Sequence, residues 1–232
     1  MREIVLDTET TGLDPLRGDR LVEIGCVEMV NCMPTGQTFH RHINPERSMP
    51  AEAFNVHGLS SEFLADKPLF AQVVDEFLEF IADAPLVIHN ASFDIGFINA
   101  ELDRIKRPAI ARDRLVDTLL LARPKHPGVS NRLDDLCSRY AIDNSRRTKH
   151  GALLDAELLA EVYIDLIGAR QSQLILATET RDVRAGGGYG EMPRRVREAP
   201  LAPRVSDEDR AAHRAFVATL GDKPIWNDFL GV

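Results

Sequence analysis

Cysteine is scarce in this chain: Cys26, Cys32 and Cys137 are the three among 232 residues, and none belongs to a Cys-x-x-Cys pair. An odd, widely spaced set argues against a disulfide framework and a zinc knuckle, and fits a reducing cytoplasm. Apolar runs are short as well. None approaches the roughly 18 residues of a membrane span. Asp7 and Glu9 stand where a signal peptide keeps its apolar core, so neither a membrane partner nor export is expected. Aromatic residues make up 6%, and Trp226 is the one tryptophan. A P-loop, a Gly-x-Gly-x-x-Gly after a strand, His-Glu-x-x-His and Gly-x-Ser-x-Gly are all missing. That removes the usual phosphate cradles, the zinc-protease helix and the nucleophile elbow.

Positive charge is also in deficit, with 28 Lys+Arg against 36 Asp+Glu and a net charge of −8. The deficit is uneven: residues 1–170 hold 19 basic and 27 acidic groups, while residues 171–232 hold 9 of each. If the first 170 residues touch nucleic acid, metal ions must offset the charge, or a partner must hold the substrate. The remaining balance, 44% hydrophobic and 28% charged, is ordinary for a globular chain with one sizeable core.

Against these absences the apolar pattern is clear. Glu3-Ile-Val-Leu-Asp-Thr-Glu9 predicts a buried strand, followed by a turn from Thr10 to Pro15. Two more strands, Arg20 to Val30 and Gln37 to Ile43, are spaced for a meander. Apolar residues at 70, 73, 74, 77, 78 and 81 predict a helix over 70–81. Leu86 to His89 and Leu115 to Asp117 predict short strands, and helices are expected at 93–102, 118–122, 131–140 and 152–167. Strands first, then strand–helix alternation, give an α/β layer fold with a mixed sheet.

The texture changes after Ile175. Gly186 to Gly188, Gly190, Pro193, Pro200, Pro203 and an excess of arginine, with no apolar period, predict a flexible basic linker over 176–205. Order is expected again at Ser206-Asp-Glu-Asp209, an N-cap with acids in the first turn. Ala212, Phe216 and Leu220 then share a face, Gly221 ends the helix, and Trp226 lies beyond. A short apolar helix on a tether cannot bury itself alone. It either docks on another protein or folds back on its own domain, and the first reading divides the chain into 1–175, 176–205 and 206–232.

Asp7 and Glu9 are separated by one residue, so on a strand both carboxylates project from one face. Adjacent anions beside an apolar core repel each other and resist desolvation. A divalent cation between them relieves both, and hard oxygen ligands suit Mg²⁺ or Mn²⁺; the plainer alternative is a polar lip on the strand. Asp94 follows a strand after the turn Asn90 to Phe93, a junction where parallel sheets collect active-site groups. It could equally be a first-turn acid favoured by the helix dipole. His150 and Asp155 diverge by about 140° if one helix holds both. They converge only if His150 belongs to the preceding loop, where it is either a base beside a metal-held Asp155 or an exposed loop histidine.

The joint pattern, Asp-x-Glu on a first strand, an Asp opening a middle helix and His-x4-Asp opening a late one, resembles the DEDD-type 3′→5′ exonuclease family in its histidine-containing branch. The matching stretches are Ile4-Val-Leu-Asp-Thr-Glu-Thr-Thr-Gly12, Phe54-Asn-Val-His-Gly58, Val87-Ile-His-Asn-Ala-Ser-Phe-Asp-Ile-Gly-Phe97 and His150-Gly-Ala-Leu-Leu-Asp-Ala156. The resemblance runs nearly continuously over residues 1–170. It implies a ribonuclease-H-like fold, a mixed five-stranded sheet with helices on both faces. It implies two divalent cations, Mg²⁺ or Mn²⁺, one held by Asp7, Glu9 and Asp155 and the second by Asp7 and Asp94, with His150 as the base. Thr10, Leu13, His57 and Phe93 match positions that family members use around the terminal nucleotide at the 3′ end of single-stranded or frayed DNA; His57-Gly58 also reads as a plain loop turn.

Gln171-Ser-Gln-Leu-Ile-Leu176 resembles the short peptides that dock into bacterial sliding clamps, with Gln171, Leu174 and Leu176 as anchors, or is a helix tail on its own domain. The segment holding Phe216, Leu220 and Trp226 resembles the one that tethers a proofreading exonuclease to the polymerase alpha subunit. Such a tether answers the charge deficit by raising effective substrate concentration. Two other functions compete: a stand-alone RNA-trimming exonuclease, which has no evident need of the tail, and a scaffold subunit with an inactive site, which has no need of five intact catalytic positions.

Overall fold

Ile4, Val5 and Leu6 have no exposed surface. A strand apolar on both faces needs a neighbour on each edge and a layer on each side, so it belongs in the middle of a sheet. β1 (Arg2–Thr10) takes that place in the computed structural model, which describes residues 1–169 and 205–220. β2 (Leu21–Val30) and β3 (Met33–His42) lie beyond one edge as an antiparallel meander. β4 (Leu86–Ile88) and β5 (Leu115–Asp117) follow in parallel on the other, giving the order β3-β2-β1-β4-β5.

Alternation along β1 sorts the two layers. Ile4 and Leu6 join the core built by α3 (Phe70–Ile81) and α4 (Ala91–Arg104), whereas Val5 joins α7 (Ala152–Leu166) on the opposite face. α3 buries Phe70, Val73, Val74, Phe77 and Ile81, the stripe that its spacing predicts. α7 is buried nearly all round. Ala156, Leu159, Ala160 and Tyr163 face the sheet, while Leu158, Val162 and Leu166 pack with α5 (Thr118–Lys125) and α6 (Leu133–Tyr140). Tyr163 Oη also donates to Glu3 Oε1 at 2.8 Å, giving the buried acid a partner. In the other layer Arg20 holds α4 to the start of β2 with two bonds to the buried Glu101, at 2.6 and 2.9 Å.

Two stretches differ from the sequence expectation. β3 begins at Met33, not Gln37, because Asn31 and Cys32 both take positive φ (52° and 63°) and make a tight two-residue hairpin. Pro34 and Gly36 disguise the strand that results. α1 (Ala51–His57) and α2 (Ser61–Ala65) have no predicted counterpart, since each buries a single side chain, His57 and Leu64, and so shows no apolar stripe. Among the described residues no helix is long and apolar enough to cross a membrane, and the three cysteines are free.

The chain divides into two units, Met1–Leu176 and Ala177–Val232. In the second, α8 (Asp207–Ala218) is capped reciprocally: Ser206 Oγ accepts from the Asp209 amide at 3.1 Å, and Asp209 Oδ2 accepts from the Ser206 amide at 3.0 Å. Phe216 is exposed on this helix and Leu220 just beyond it. Gln171, Leu174, Leu176, Trp226 and nearly all of the predicted linker lie outside the described residues.

One glycine sets how close α7 comes to the sheet. A Cβ on Gly25 would stand 2.2 Å from Ala152 C and Leu153 N, backbone atoms at the start of that helix. Gly25→Ala is expected to lift the helix start and cost about 3 kcal/mol of stability, read as a lower urea midpoint with an unchanged slope.

Candidate active site

The end of β1 builds the first part of the site. Asp7 and Glu9 continue the alternation of Val5 and therefore point to the α7 side of the sheet, while Thr8 points to the α4 side. Asp94 comes from the first turn of α4, whose entry is fixed by a single acid: Asp117, at the end of β5, accepts from the amides of Asn90 and Ala91 at 3.2 and 3.1 Å. The same carboxylate caps α5 through the amides of Leu119 and Leu120. Asn90 turns the chain with φ at 65°. Thr8 Oγ1 then donates to Asp94 Oδ1 at 2.6 Å, tying the α4 carboxylate to the central strand.

The third part arrives with α7. The helix starts at Ala152 after Gly151, so His150 belongs to the loop before it, and His150 Nδ1 lies 3.3 Å from Asp155 Oδ2. Arg147, which sequence reasoning missed, lies between them. Its Nε and Nη2 donate to the two oxygens of Asp155, each at 2.6 Å, its Nη1 is 2.6 Å from Asp134 Oδ2, and its Nη2 donates to His150 Nδ1 at 2.7 Å. A guanidinium only donates, so His150 Nδ1 is the accepting, basic nitrogen here and Nε2 carries the ring proton. Release of Arg147 would free the Asp155 lone pairs and the basic nitrogen together. Its only sequence signal was the polar run Asn144 to Lys149.

Burial and like charge shape the protonation of these groups. Burial, then repulsion from Asp94, Glu9 and Asp155, holds the Asp7 carboxyl well above the usual range. Glu9 is pushed up to about 8 by burial and by Asp155, Glu23 and Asp94. Asp94 rises to about 7, again through burial, against the pull of the Thr8 hydroxyl. Asp155 is the exception: burial pushes it up, but the hydrogen bonds and the positive charge of Arg147 outweigh this and leave it below its ordinary value. Hard oxygen donors crowded in a dry site suit divalent cations. One donor atom each of Glu9, His150 and Asp155 lie within 4.8 Å of one another, a group that includes the imidazole and neither Asp7 nor Asp94.

Two hollows meet here, sharing Asp7, His89 and His150. One, of about 830 Å³, is lined by Arg123, Arg132 and Arg147 among others. The other, of about 630 Å³, brings Thr10, Leu13, His57 and Phe93 together with Asp7, Glu9 and Asp94. His57 is buried at the end of α1, not in a loop turn, and its Nδ1 accepts the Leu59 amide at 3.0 Å. His89, also missed from sequence, is bonded through Nδ1 to Thr118 Oγ1 at 2.9 Å.

The family model described as "Exonuclease" (RNase_T) matches residues 4–163. A relative from Rickettsia felis, named DNA polymerase III subunit epsilon, is 48% identical over 226 residues, covering 95% of this chain and 97% of the relative. The chain belongs to the DNA polymerase III epsilon subunit family. A second epsilon relative, from Escherichia coli K12, is 46% identical and covers 97% of each chain. Among solved structures, the nuclease domain of 3′hExo, a DEDDh family member bound to rAMP, superposes with a TM-score of 0.61 at 14% identity, covering 72% of this chain and 92% of that one. That likeness is one of fold, the ribonuclease-H-like mixed sheet. The epsilon-family exonuclease domain thus has its acids where β1, α4 and α7 converge.

Two measurements probe this site. In the unfolded chain Glu9 and Asp94 ionise near pH 4, so folding takes up protons between that pH and about 8 for Glu9 and about 7 for Asp94. In chelator, stability should therefore fall as pH rises through this window, and added Mg²⁺ or Mn²⁺ should raise the melting temperature more at pH 8 than at pH 5. Thr8→Val should leave the melting temperature nearly unchanged but weaken cation binding about 10-fold to 100-fold in calorimetry, since it removes the bond that orients Asp94.

Proposed function

We propose that this exonuclease removes the 3′-terminal nucleotide of single-stranded or frayed DNA as a 5′-monophosphate, and so proofreads for a bacterial replicative polymerase. The observation that carries the reading is the convergence of the buried carboxylates Asp7, Glu9, Asp94 and Asp155 with a loop-borne, half-exposed His150 around two adjoining hollows. Asp7, Glu9 and Asp155 would hold one divalent cation, and Asp7 and Asp94 a second, with Mg²⁺ or Mn²⁺ suited to this oxygen-rich set. When bound, such a pair of cations supplies a nucleophilic water and neutralises charge on the leaving 3′-oxygen in an in-line displacement.

The chain's own groups do the rest. His150 takes the proton of the attacking water at its accepting nitrogen once Arg147 has moved away, and its half exposure leaves it room to do so. Thr8 holds Asp94, and the start of α7 carries Asp155. Thr10, Leu13, His57 and Phe93 hold the terminal nucleoside, with the Phe93 ring and the Leu13 side chain against the base. The arginine-lined hollow takes the phosphates of the preceding strand. Preference for mispaired ends follows from fraying: unpairing a correct step costs about 1.4 kcal/mol, much of which a mismatch has already lost.

Residues 1–175 form the exonuclease domain in this reading, 176–205 a linker, and 206–232 the segment that docks on the polymerase alpha subunit through Phe216, Leu220 and Trp226. Gln171, Leu174 and Leu176 would engage the sliding clamp. Tethering supplies the substrate that a net charge of −8 does not attract. The work is cytoplasmic, where bacterial replication takes place.

The purified chain should cut a ladder from the 3′ end of 5′-labelled single-stranded DNA in Mg²⁺, and Asp7→Ala should abolish it. His150→Ala should lower the rate about 10²-fold to 10⁴-fold with cation affinity unchanged. RNA degraded much faster than DNA would replace this reading with RNA trimming, and no cutting of either would leave a scaffold.

A further inference from the structure

The band of polar side chains at the end of β1 continues across the sheet. Glu9 pairs with Glu23 on β2, and Glu23 pairs in turn with His42 on β3, while Gly25 pairs with His40. Directly paired residues share a face, so Glu23, His40 and His42 lie on the α7 side with the catalytic acids. Glu23 is buried, and its Oε1 lies 2.6 Å from His40 Nε2 and 3.5 Å from His42 Nε2. One donor atom from each of the three lies within 4.8 Å of the others.

We propose that Glu23, His40 and His42 form a second cation site, for a Zn²⁺-class ion, sharing no ligand with the carboxylate centre. Two imidazoles and one carboxylate are a borderline donor set that favours Zn²⁺ and Co²⁺ over Mg²⁺. Bonds of about 2.0–2.1 Å in tetrahedral geometry put ligand atoms roughly 3.4 Å apart. The Glu23–His42 distance is already there, and the Glu23–His40 pair needs to open by less than about 1 Å. The strand ladder fixes the backbone of all three ligands, and the His42 ring is steadied edge-on by Phe63, with centroids 5.0 Å apart. Both histidine side chains are partly exposed, at 35% and 25%, so an ion can enter and keep a water as its fourth ligand. Bound there, it would clip the edge strand β3 to β2 beside Glu9.

The test is a Co²⁺ titration of the full, chelator-stripped chain in excess Mg²⁺, repeated in an Asp7→Asn background to weaken the carboxylate centre. One equivalent with tetrahedral d–d absorption is expected in both, displaced by Zn²⁺, and lost in His42→Gln and in His40→Gln while Mg²⁺-dependent hydrolysis persists. Zn²⁺ should also shift the ring proton resonances of two of the seven histidines in the unmodified chain, a readout that needs no variant to fold. No equivalent beyond Mg²⁺, or one that survives both glutamine variants and disappears with Asp7→Asn, would overturn the site.

Discussion

Repulsion among carboxylates held out of water is the constraint around which this protein is arranged. Asp7, Glu9, Asp94 and Asp155 converge from one strand and two helices, and burial pushes three of them toward their protonated forms. Left alone, such a cluster works against folding. Arg147 offsets part of it with two bonds to Asp155, and the Thr8 hydroxyl steadies Asp94. The remaining charge gives the site its appetite for divalent cations, so the affinity needed for phosphodiester chemistry is the same electrostatic strain that the fold must carry.

The scaffold carries it by dividing labour between the two layers. β1 is buried on both faces, and its alternation sends Asp7 and Glu9 toward α7 while Thr8 reaches for α4. Gly25 lets the backbone of α7 settle onto β2, which brings Asp155 to the strand end. Asp117 caps the turns into both α4 and α5, so the entry of Asp94 is fixed by an acid outside the carboxylate cluster. Errors of an ångström in any of these would cost more than loss of a surface contact, because the four carboxylates must converge on one place.

Much of this was legible in the chain. Strong periodicity exposed β1, α3 and α7, whose apolar faces are continuous, and the residues singled out at positions 7, 9, 94, 150 and 155 do gather around two adjoining hollows. The predicted loop position of His150 agrees with a helix that starts at Ala152. Elements that bury little left no trace: α1 and α2 show no stripe, and the first residues of β3 look like a loop because Pro34 and Gly36 interrupt them. Arg147, Thr8 and Asp117 were illegible for a different reason. Thr8 and Asp117 matter through partners far away in sequence, and Arg147 through the fold of an irregular loop; neither composition nor spacing encodes such pairings.

The way Arg147 and His150 are held has a kinetic side. The stretch from Asp143 to Gly151 buries almost no apolar surface and is held chiefly by charged contacts and the bond from the His150 amide to Val56 O at 3.2 Å. Opening it exchanges a few such bonds for water, whereas moving β1 requires dismantling the core. Its amide protons should therefore exchange through local excursions, while those of Val5 and Leu6 wait for global unfolding. The loop that carries His150 can fluctuate on its own timescale over carboxylates that stay still.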